Sequence, residues 1–432
     1  MGIEQLPDSG HHNDTANVAL GAWGLLVAVL FLMLGSGLLG TVIGLRAELA
    51  GFGDGTIGIV LAGYYAGFLA GAWVVPRFVG TVGHIRVYAA LASLASVAAL
   101  VHALTELPAV WLLMRVVTGF AMSGLYLVAE GWLNEKATNA TRGRLLSVYM
   151  IVVMGGIALS QLLLTVADPS GSTLFILASI LVSFAVVPVT LSAGSAPDTG
   201  WARQLPVRRI WDAAPAGVVG GFGAGFTNGG IMALGAVYAS RVGMSVDRIA
   251  IYMGLLVLGS VILQWPIGAL SDRMPRRRAI MVVSVAAALA AAGNALVDPA
   301  APAALLAVFI FGGLTFPLYS LCLSHINDHV PAGTTIAVSA VYVFVAGVGA
   351  VLGPLAGSVA MSTLGAPGLF WMMLGVHLAV AGFALGRVRV RRGLPVEQQR
   401  RFTLVPSRGG AVMVHLARRH GRNGARSPSK KQ

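Results

Sequence analysis

The sequence predicts an all-α membrane protein, with twelve transmembrane helices arranged in two pseudo-symmetric halves of six. Three observations predict this fold: scarce charged residues, twelve long apolar segments and an internal repeat. Of the 432 residues, 56% are hydrophobic and 10% are Asp, Glu, Lys or Arg. A soluble domain carries about 25% charged residues. The composition therefore excludes a water-soluble globular enzyme.

The first predicted helix follows an acidic N-terminal segment. Residues 1–17 contain three acidic residues and no Lys or Arg. A secretory signal peptide requires a cationic start and a short apolar core. The apolar run from Val18 to about Leu45 has neither property, so we interpret it as a retained first transmembrane helix.

The remaining helices follow from the length of the apolar segments, because a helix needs about 20 mostly apolar residues to cross a bilayer. The twelve segments lie near residues 19–44, 56–76, 86–104, 108–131, 145–166, 172–192, 214–239, 248–270, 279–297, 302–323, 335–360 and 366–386. Breaks that are polar or contain Pro and Gly separate them.

The distribution of Lys and Arg predicts the orientation, because basic residues are enriched in cytoplasmic loops. If both termini lie inside, the inner loops before the basic tail hold twelve Lys or Arg residues, and the outer loops hold three. The three outer residues are Arg46, Arg241 and Arg248. We therefore expect a multi-pass protein of the cytoplasmic membrane with both termini in the cytoplasm.

An internal repeat appears when the chain is aligned with itself at an offset of 193 residues. The matched pairs include Gly119 with Gly312, Tyr126 with Tyr319, Asn134 with Asn327, Tyr149 with Tyr342, Gly156 with Gly349 and, conserving charge, Glu135 with Asp328. These pairs align spans four and five with spans ten and eleven. Internal repeats are typical of secondary transporters, whose substrate site lies between the repeats.

The repeat divides the chain into five segments. They are an N-terminal tail (1–17), an N-terminal half (18–192), a linker (193–213), a C-terminal half (214–386) and a basic tail (387–432). We expect both tails and the linker to be cytoplasmic. The basic tail holds 13 Lys or Arg and one acid. This placement argues against nucleic-acid binding. We expect a disordered, functionally passive tail that is attracted to anionic lipid headgroups.

Short motifs resemble those of the major facilitator superfamily. The stretch from Gly268 through Asp272 and Arg273 to Arg276 resembles the loop signature of this family, whereas the matching loop after span two lacks the acid. Arg115 and Gly119 are similar to its R-x-x-x-G element. The resemblance covers residues 18–386 and implies the major facilitator fold. Segments around Tyr126–Asn134 and Phe316–Asp328 look like the uncharacterised YcaD-type bacterial subfamily.

Span four carries the strongest candidates for a substrate or coupling site. Burying Arg115 near the bilayer centre costs about 2.5–3.5 kcal/mol on insertion scales, so such a residue is a functional candidate. Tyr126 and Glu130 continue roughly along the same face. Arg115 is expected to contact an anionic substrate group or to bias a proton-carrying acid; alternatively, it snorkels or only ties helices together.

Glu130 is the only acid within a predicted span. It could carry a coupling proton, since desolvation raises the pKa of a carboxyl group. It could equally close an inner gate by pairing with a loop arginine.

Asn228 on span seven and Tyr319 on span ten are the best further cavity candidates, because the resembling family lines its cavity with spans one, four, seven and ten. The other polar or aromatic candidates are Tyr64, Tyr65, Gln161, Gln264, Trp265 and His325. Each of these is individually more often a packing residue than a ligand contact.

Charges near the inner helix ends are candidate gate residues. The resemblance implies that Asp272, Arg273 and Arg276, with the repeat-matched Glu135 and Asp328, lock and release the inner side. The alternative is a solvated loop that only follows the charge bias.

A glycine ladder with Gly353, followed by Pro354, occupies span eleven, and span two has a similar ladder. Small residues at this spacing let helix backbones approach closely. Because spans two and eleven face each other in the resembling family, we expect a sliding contact between the halves; the alternative is packing within one half.

These observations favour a secondary active transporter that moves a small solute by alternating access, with a proton as the coupling ion. The alternative is a transport-inactive receptor or scaffold on the same fold, because fold does not fix function. We expect no enzymatic activity, cofactor or nucleic-acid partner, and a monomer in the lipid bilayer. Cys322 is the only cysteine, which excludes disulfides and Cys-rich metal sites.

Overall fold

The chain forms a bundle of long α-helices. A computed structural model describes residues 13–136, 142–191, 206–331, 334–390, 394–400 and 402, without the side chains of 13–22, 134–136, 142–144 and 335–336. The helices are α1 (Asn13–Leu49), α2 (Asp54–Val82), α3 (His84–Leu104), α4 (Pro108–Lys136), α5 (Arg142–Leu162), α6 (Thr173–Phe184), α7 (Val186–Leu191), α8 (Val207–Ala213), α9 (Pro215–Arg241), α10 (Val246–Arg273), α11 (Arg276–Leu296), α12 (Pro302–Thr315), α13 (Pro317–Asp328), α14 (Thr335–Leu364) and α15 (Gly368–Val390).

The described helices confirm a multi-pass, all-α membrane protein. Eleven helical segments are long and apolar enough to cross a membrane. Two of these, Thr173–Leu191 and Pro302–Asp328, each consist of two consecutive helices, α6 with α7 and α12 with α13. Large apolar side chains such as Leu289 (69% exposed) and Ile151 (67% exposed) point away from the protein. Such exposure fits a surface covered by lipid.

The count of twelve spans depends on α9, which is not among the eleven. This helix has 27 residues, so it is about 40 Å long at 1.5 Å per residue. Its many glycines lower its hydropathy, and most of its residues are buried against other helices. The twelfth span therefore stays a prediction.

Helices related by the internal repeat pack in the same way. In the N-terminal half, α2 packs closely on α4, and in the C-terminal half α10 packs closely on α12. A methyl group on Gly119 would overlap the carbonyl oxygen of Tyr64, and one on its repeat partner Gly312 would overlap that of Leu256. Both glycines therefore permit equivalent contacts between helix backbones.

The main contacts between the two halves are those of α1 with α9, α2 with α14 and α5 with α10, and α2 also contacts α9. At the α2–α14 contact, Gly58 lies against Ser358 and the carbonyl oxygen of Pro354, and Gly347 lies against the side chain of Leu69. The predicted proximity of spans two and eleven is therefore present in the structure.

The glycine ladder of α14 does not form this contact between the halves. A methyl group on Gly353 would overlap the backbone of Phe226 in α9, and one on Gly349 would overlap that of Phe222. Both neighbours belong to the same half as α14. The expected sliding contact at Gly353 is wrong, because the ladder faces α9 and fixes packing within one half.

The C-terminal region is more ordered than the sequence analysis expects. Helix α15 continues to Val390. Residues 394–400 and 402, which we call the C-terminal strap, lie against the ends of α10, α11 and α13, where Phe402 contacts Gly268. The expectation of a disordered tail is wrong for these residues, because part of the strap pairs with charged groups of the bundle.

The backbone contact at Gly353 predicts that Gly353→Ala destabilises the protein. An added methyl group forces α14 away from α9, and overpacking of this kind costs about 1–3 kcal/mol. Gly382→Ala in α15 is the matched control, because nothing lies within 4 Å of an added methyl group there. Thermal unfolding of the purified proteins in detergent should show a lower Tm for Gly353→Ala alone. Equal Tm values would contradict the close contact.

Candidate functional site

The bundle has two ends that differ in their ion pairs. One end, which we call the Glu48 end, contains the last turn of α1 and the beginning of α2. The opposite end, which we call the Arg276 end, contains the turn between α10 and α11. Candidate site residues lie between these ends, where α4, α9 and α13 contribute to the interior of the protein.

Arg115 on α4 is part of a buried aromatic cluster. The side chain is 5% exposed, and its guanidinium carbon lies 4.7 Å from the ring centroid of Tyr64. The ring of Tyr64 also contacts Tyr65 and Phe68, with centroids 5.2 and 6.2 Å away. A cation–π contact of this kind is worth about 0.5–2 kcal/mol. Arg115 therefore faces the protein interior rather than lipid.

The aromatic cluster reaches the second half through Tyr65. The hydroxyl of Tyr65 donates a hydrogen bond of 3.3 Å to the carbonyl oxygen of Gly229. Gly229 follows Asn228, which stands at the midpoint of α9. Arg115 in the N-terminal half and Asn228 in the C-terminal half are thus connected through Tyr64 and Tyr65.

Tyr126 and Glu130 continue this buried region toward the Arg276 end. The ring of Tyr126 lies 6.1 Å from that of Phe68, and its hydroxyl donates to the sulfur of Met33 at 3.3 Å. Glu130 is completely buried.

Asn228 and Tyr319 have buried polar atoms without a partner. Both side-chain amide atoms of Asn228 and the hydroxyl of Tyr319 lack a hydrogen bond among the described residues. The Tyr319 ring is held by Tyr342, at a centroid distance of 4.8 Å, and the Tyr342 hydroxyl donates to the Tyr319 carbonyl at 2.7 Å. Leaving a buried polar group unsatisfied costs about 1–3 kcal/mol, so both residues are candidates for contact with a ligand.

This arrangement suits the binding of a polar solute. Asn228 offers both a donor and an acceptor, and Tyr319 offers a hydroxyl. Arg115 adds a buried positive charge near the same interface. Polar groups of this kind orient ligands in mostly apolar binding sites, so Arg115, Asn228 and Tyr319 are candidate ligand contacts.

Charged residues at the Arg276 end form a second cluster, which consists of Arg276, Asp272 and Asp328. Arg276 is almost fully buried and donates to Asp328 at 2.5 Å and to the hydroxyl of Ser271 at 2.9 Å. Asp272 is more exposed, at 39%, and lies 3.5 Å from Arg276. The structure therefore brings together three of the predicted gate residues, within the C-terminal half.

The other predicted gate residues are placed differently. Arg273 is exposed at the end of α10. Pro354 lies inside α14 near Gly58 of α2. Glu135 belongs to α4, but its side chain lies outside the described residues.

The remaining cavity candidates divide into two groups. Trp265 is 79% exposed on the apolar surface, so its assignment to a cavity is wrong. Gln161 is buried and accepts from Thr41 at 2.7 Å, and Gln264 donates to Ser320 at 3.3 Å. Hydrogen bonds between helices thus explain both glutamines. The Nε2 atom of His325 is buried without a hydrogen bond among the described residues.

Sequence reasoning missed an ion cluster at the Glu48 end. Arg241 of α9 pairs with Glu48 of α1 at 2.6 Å and with Asp54 of α2 at 2.5 Å. These bonds join the two halves. The sequence does place Arg241 in one predicted outer loop and the acids Glu48 and Asp54 in another, on the same side of the membrane.

Sequence comparison relates the chain to transporters. A sequence model described as the Major Facilitator Superfamily matches residues 25–347 and 218–421. An uncharacterised MFS-type transporter of Yersinia enterocolitica is 28% identical over 330 residues, covering 74% of this chain and 84% of that protein. An uncharacterised MFS-type transporter of Bacillus subtilis, YfkF, is 29% identical, covering 61% and 69%. The likeness to the YcaD-type subfamily stays a prediction.

Solved structures show the same fold at low sequence identity. The nucleoside transporter NupG has a TM-score of 0.75 at 13% identity, covering 87% of this chain and 100% of that one. A D-xylose-proton symporter has a TM-score of 0.66 at 13% identity, covering 88% and 99%. Because both identities are low, these similarities concern the fold.

The buried Arg276–Asp328 pair predicts unequal effects of two substitutions. Asp328→Ala leaves a buried guanidinium without this partner, and breaking a buried pair costs about 3–5 kcal/mol. Asp272→Ala removes a partly exposed partner, for which about 0–1 kcal/mol is expected. Thermal unfolding in detergent should show a clearly lower Tm for Asp328→Ala than for Asp272→Ala. The reverse order would refute the importance of the buried pair.

Proposed function

Because this chain belongs to the major facilitator superfamily, we propose that it is a secondary active transporter that moves a small solute by alternating access. The family and the similar proteins make it a solute transporter rather than an enzyme. The coupling ion and the substrate class proposed below go further. The observation that carries the substrate class is the pair of buried side chains Asn228 and Tyr319, whose polar atoms have no hydrogen bond among the described residues, together with the buried Arg115.

Alternating access needs two rigid bodies and a contact between them that can break. Tight backbone contacts such as Gly353 against Phe226 and Gly119 against Tyr64 support rigid halves. The bonds from Arg241 to Glu48 and Asp54 join the halves at one end and are partly exposed. Partly exposed ion pairs are weak, so this contact suits a gate that opens and closes.

The polar groups favour a neutral or anionic solute with hydrogen-bonding groups. Arg115 would repel a cation, whereas the amide of Asn228 and the hydroxyl of Tyr319 can bind carbonyl, hydroxyl or amide groups. The nucleoside and D-xylose named for two similar structures are neutral polar compounds. We place the protein in the cytoplasmic membrane as a monomer with the Arg276 end inside, on the basis of the basic residues in the loops at that end.

A proton is the proposed coupling ion, and Glu130 is its proposed carrier. Glu130 is completely buried within α4, and it is the only acid within a predicted span.

Transport by purified protein in proteoliposomes tests the function. Compounds that raise the Tm of the protein in a screen of neutral and anionic solutes should accumulate inside the vesicles when a proton gradient is imposed. A compound that binds but does not cross under any gradient would favour the alternative, a receptor on the same fold.

Tyr319→Phe and Asn228→Ala should weaken ligand binding without lowering the Tm of the ligand-free protein. Neither substitution removes a side-chain hydrogen bond that the structure shows for the described residues. Tyr342→Phe is the control, because it removes the bond to the Tyr319 carbonyl and should lower the Tm by an amount corresponding to about 1 kcal/mol. Unchanged ligand binding in both site variants would place the substrate elsewhere.

Glu130→Gln should make the initial uptake rate independent of pH if this variant still transports. The amide cannot take up a proton, so the titration that couples the gradient to movement is lost. Asp247→Asn serves as the control, because Asp247 is an exposed acid at the start of α10. A pH profile equal to that of the unmodified protein would exclude Glu130 as the proton carrier.

A further inference from the structure

The C-terminal strap binds the same carboxylates that were predicted to act in the gate. The backbone N–H of Phe402 donates to Asp272 at 2.8 Å, and the backbone N–H of Arg400 donates to Asp328 at 3.1 Å. Arg276 donates to the carbonyl oxygen of Arg400. The strap thus contacts all three members of the Arg276 cluster through its backbone.

A side-chain contact fixes the position of the strap. The ring of Phe402 occupies the space beside Gly268, one turn before Asp272 on α10. Arg400 also donates from its guanidinium to the carbonyl oxygen of Val330, at 3.3 Å. The strap therefore spans the ends of α10, α11 and α13.

The interface of the strap is incompletely satisfied. A small cavity between the strap and the bundle is lined by Arg277, His325, His329 and Gln399, among others. The Oε1 atom of Gln399 and the Nε2 atom of His325 are buried there without a hydrogen bond among the described residues. Buried polar atoms without hydrogen bonds make docking of the strap less favourable. The strap can therefore be released from this interface more easily.

Docking of the strap affects which other groups can reach Asp272. The N-terminal half presents the exposed Arg77 and Arg86 at the Arg276 end. These arginines attract a carboxylate of the opposite half as the two halves approach at this end. While the strap is docked, one oxygen of Asp272 is occupied by the N–H of Phe402, and the strap covers the ends of three helices.

We propose that the C-terminal strap is an internal lock that opposes closure of the Arg276 end. Docked, it binds the Arg276 cluster within the C-terminal half; released, it leaves Asp272 to pair with the N-terminal half. This inference rests on the proposed alternating-access function. The effect of the strap on the distance between the two halves can nevertheless be measured without a substrate.

Spin labels on the two halves test the lock. In a Cys322→Ser background, Thr81→Cys on α2 and Asp212→Cys on α8, which packs against α9, are exposed positions at the Arg276 end. Pulsed electron paramagnetic resonance on the ligand-free protein gives their distance distribution. Truncation after Gly393, which removes the strap, should increase the short-distance population. Truncation after Phe402, which keeps the strap, is the matched control and should match the full chain.

Phe402→Ala provides a second variant if the shorter truncation does not fold. It removes the ring beside Gly268 and should also increase the short-distance population. Identical distributions in Phe402→Ala or the truncation after Gly393 and in the full chain would overturn the proposal, as would a shift after truncation at Phe402.

Hydrogen–deuterium exchange checks the docking separately. In the full chain, the amides of Arg400 and Phe402 should exchange slowly, and Asp272→Asn should accelerate the exchange of Phe402. Fast exchange of both amides in the full chain would show that the strap does not dock. A protein that shows the predicted distances and protection but transports no solute would refute the proposed function while leaving the docking intact.

Discussion

The close approach of helix backbones within each half is the constraint on which the rest of the structure depends. In lipid, helices associate through van der Waals packing rather than through the exclusion of water. Glycines such as Gly67 against Val116, and Gly225 against Ala346, remove the side chains that would keep backbones apart. Each half can therefore be rigid even though few polar bonds join the helices within it.

The candidate polar groups are held by packing within each half. Arg115 is fixed by packing on α2 and by the ring of Tyr64, while Asn228 is held at the centre of the glycine-rich α9. The hydrogen bond from Tyr65 to Gly229 crosses the boundary. A small rotation of one half relative to the other would therefore change the surroundings of the polar groups without disturbing the packing that positions them.

The two ends of the bundle use charge in different ways. At the Glu48 end, the ion pairs of Arg241 connect the halves and remain partly exposed. At the Arg276 end, the nearly buried Arg276–Asp328 pair lies within one half and is joined by the backbone of the strap. The loop after span two lacks the acid found at Asp272, so the internal repeat does not provide an equivalent docking site in the other half.

The sequence by itself determined the membrane location, the helical segments and the repeat, because composition, segment length and residue spacing are local properties. It also predicted Arg115, Asn228 and Tyr319 as site candidates, since polar residues within apolar segments are conspicuous, and their roles stay predictions. Only the tertiary structure decided which way Gly353 faces, that Trp265 points to the apolar surface, and that Arg241 and the strap reach their partners. Those outcomes depend on helix rotation and on contacts between residues far apart in the chain, such as Phe402 and Asp272, which no local pattern encodes.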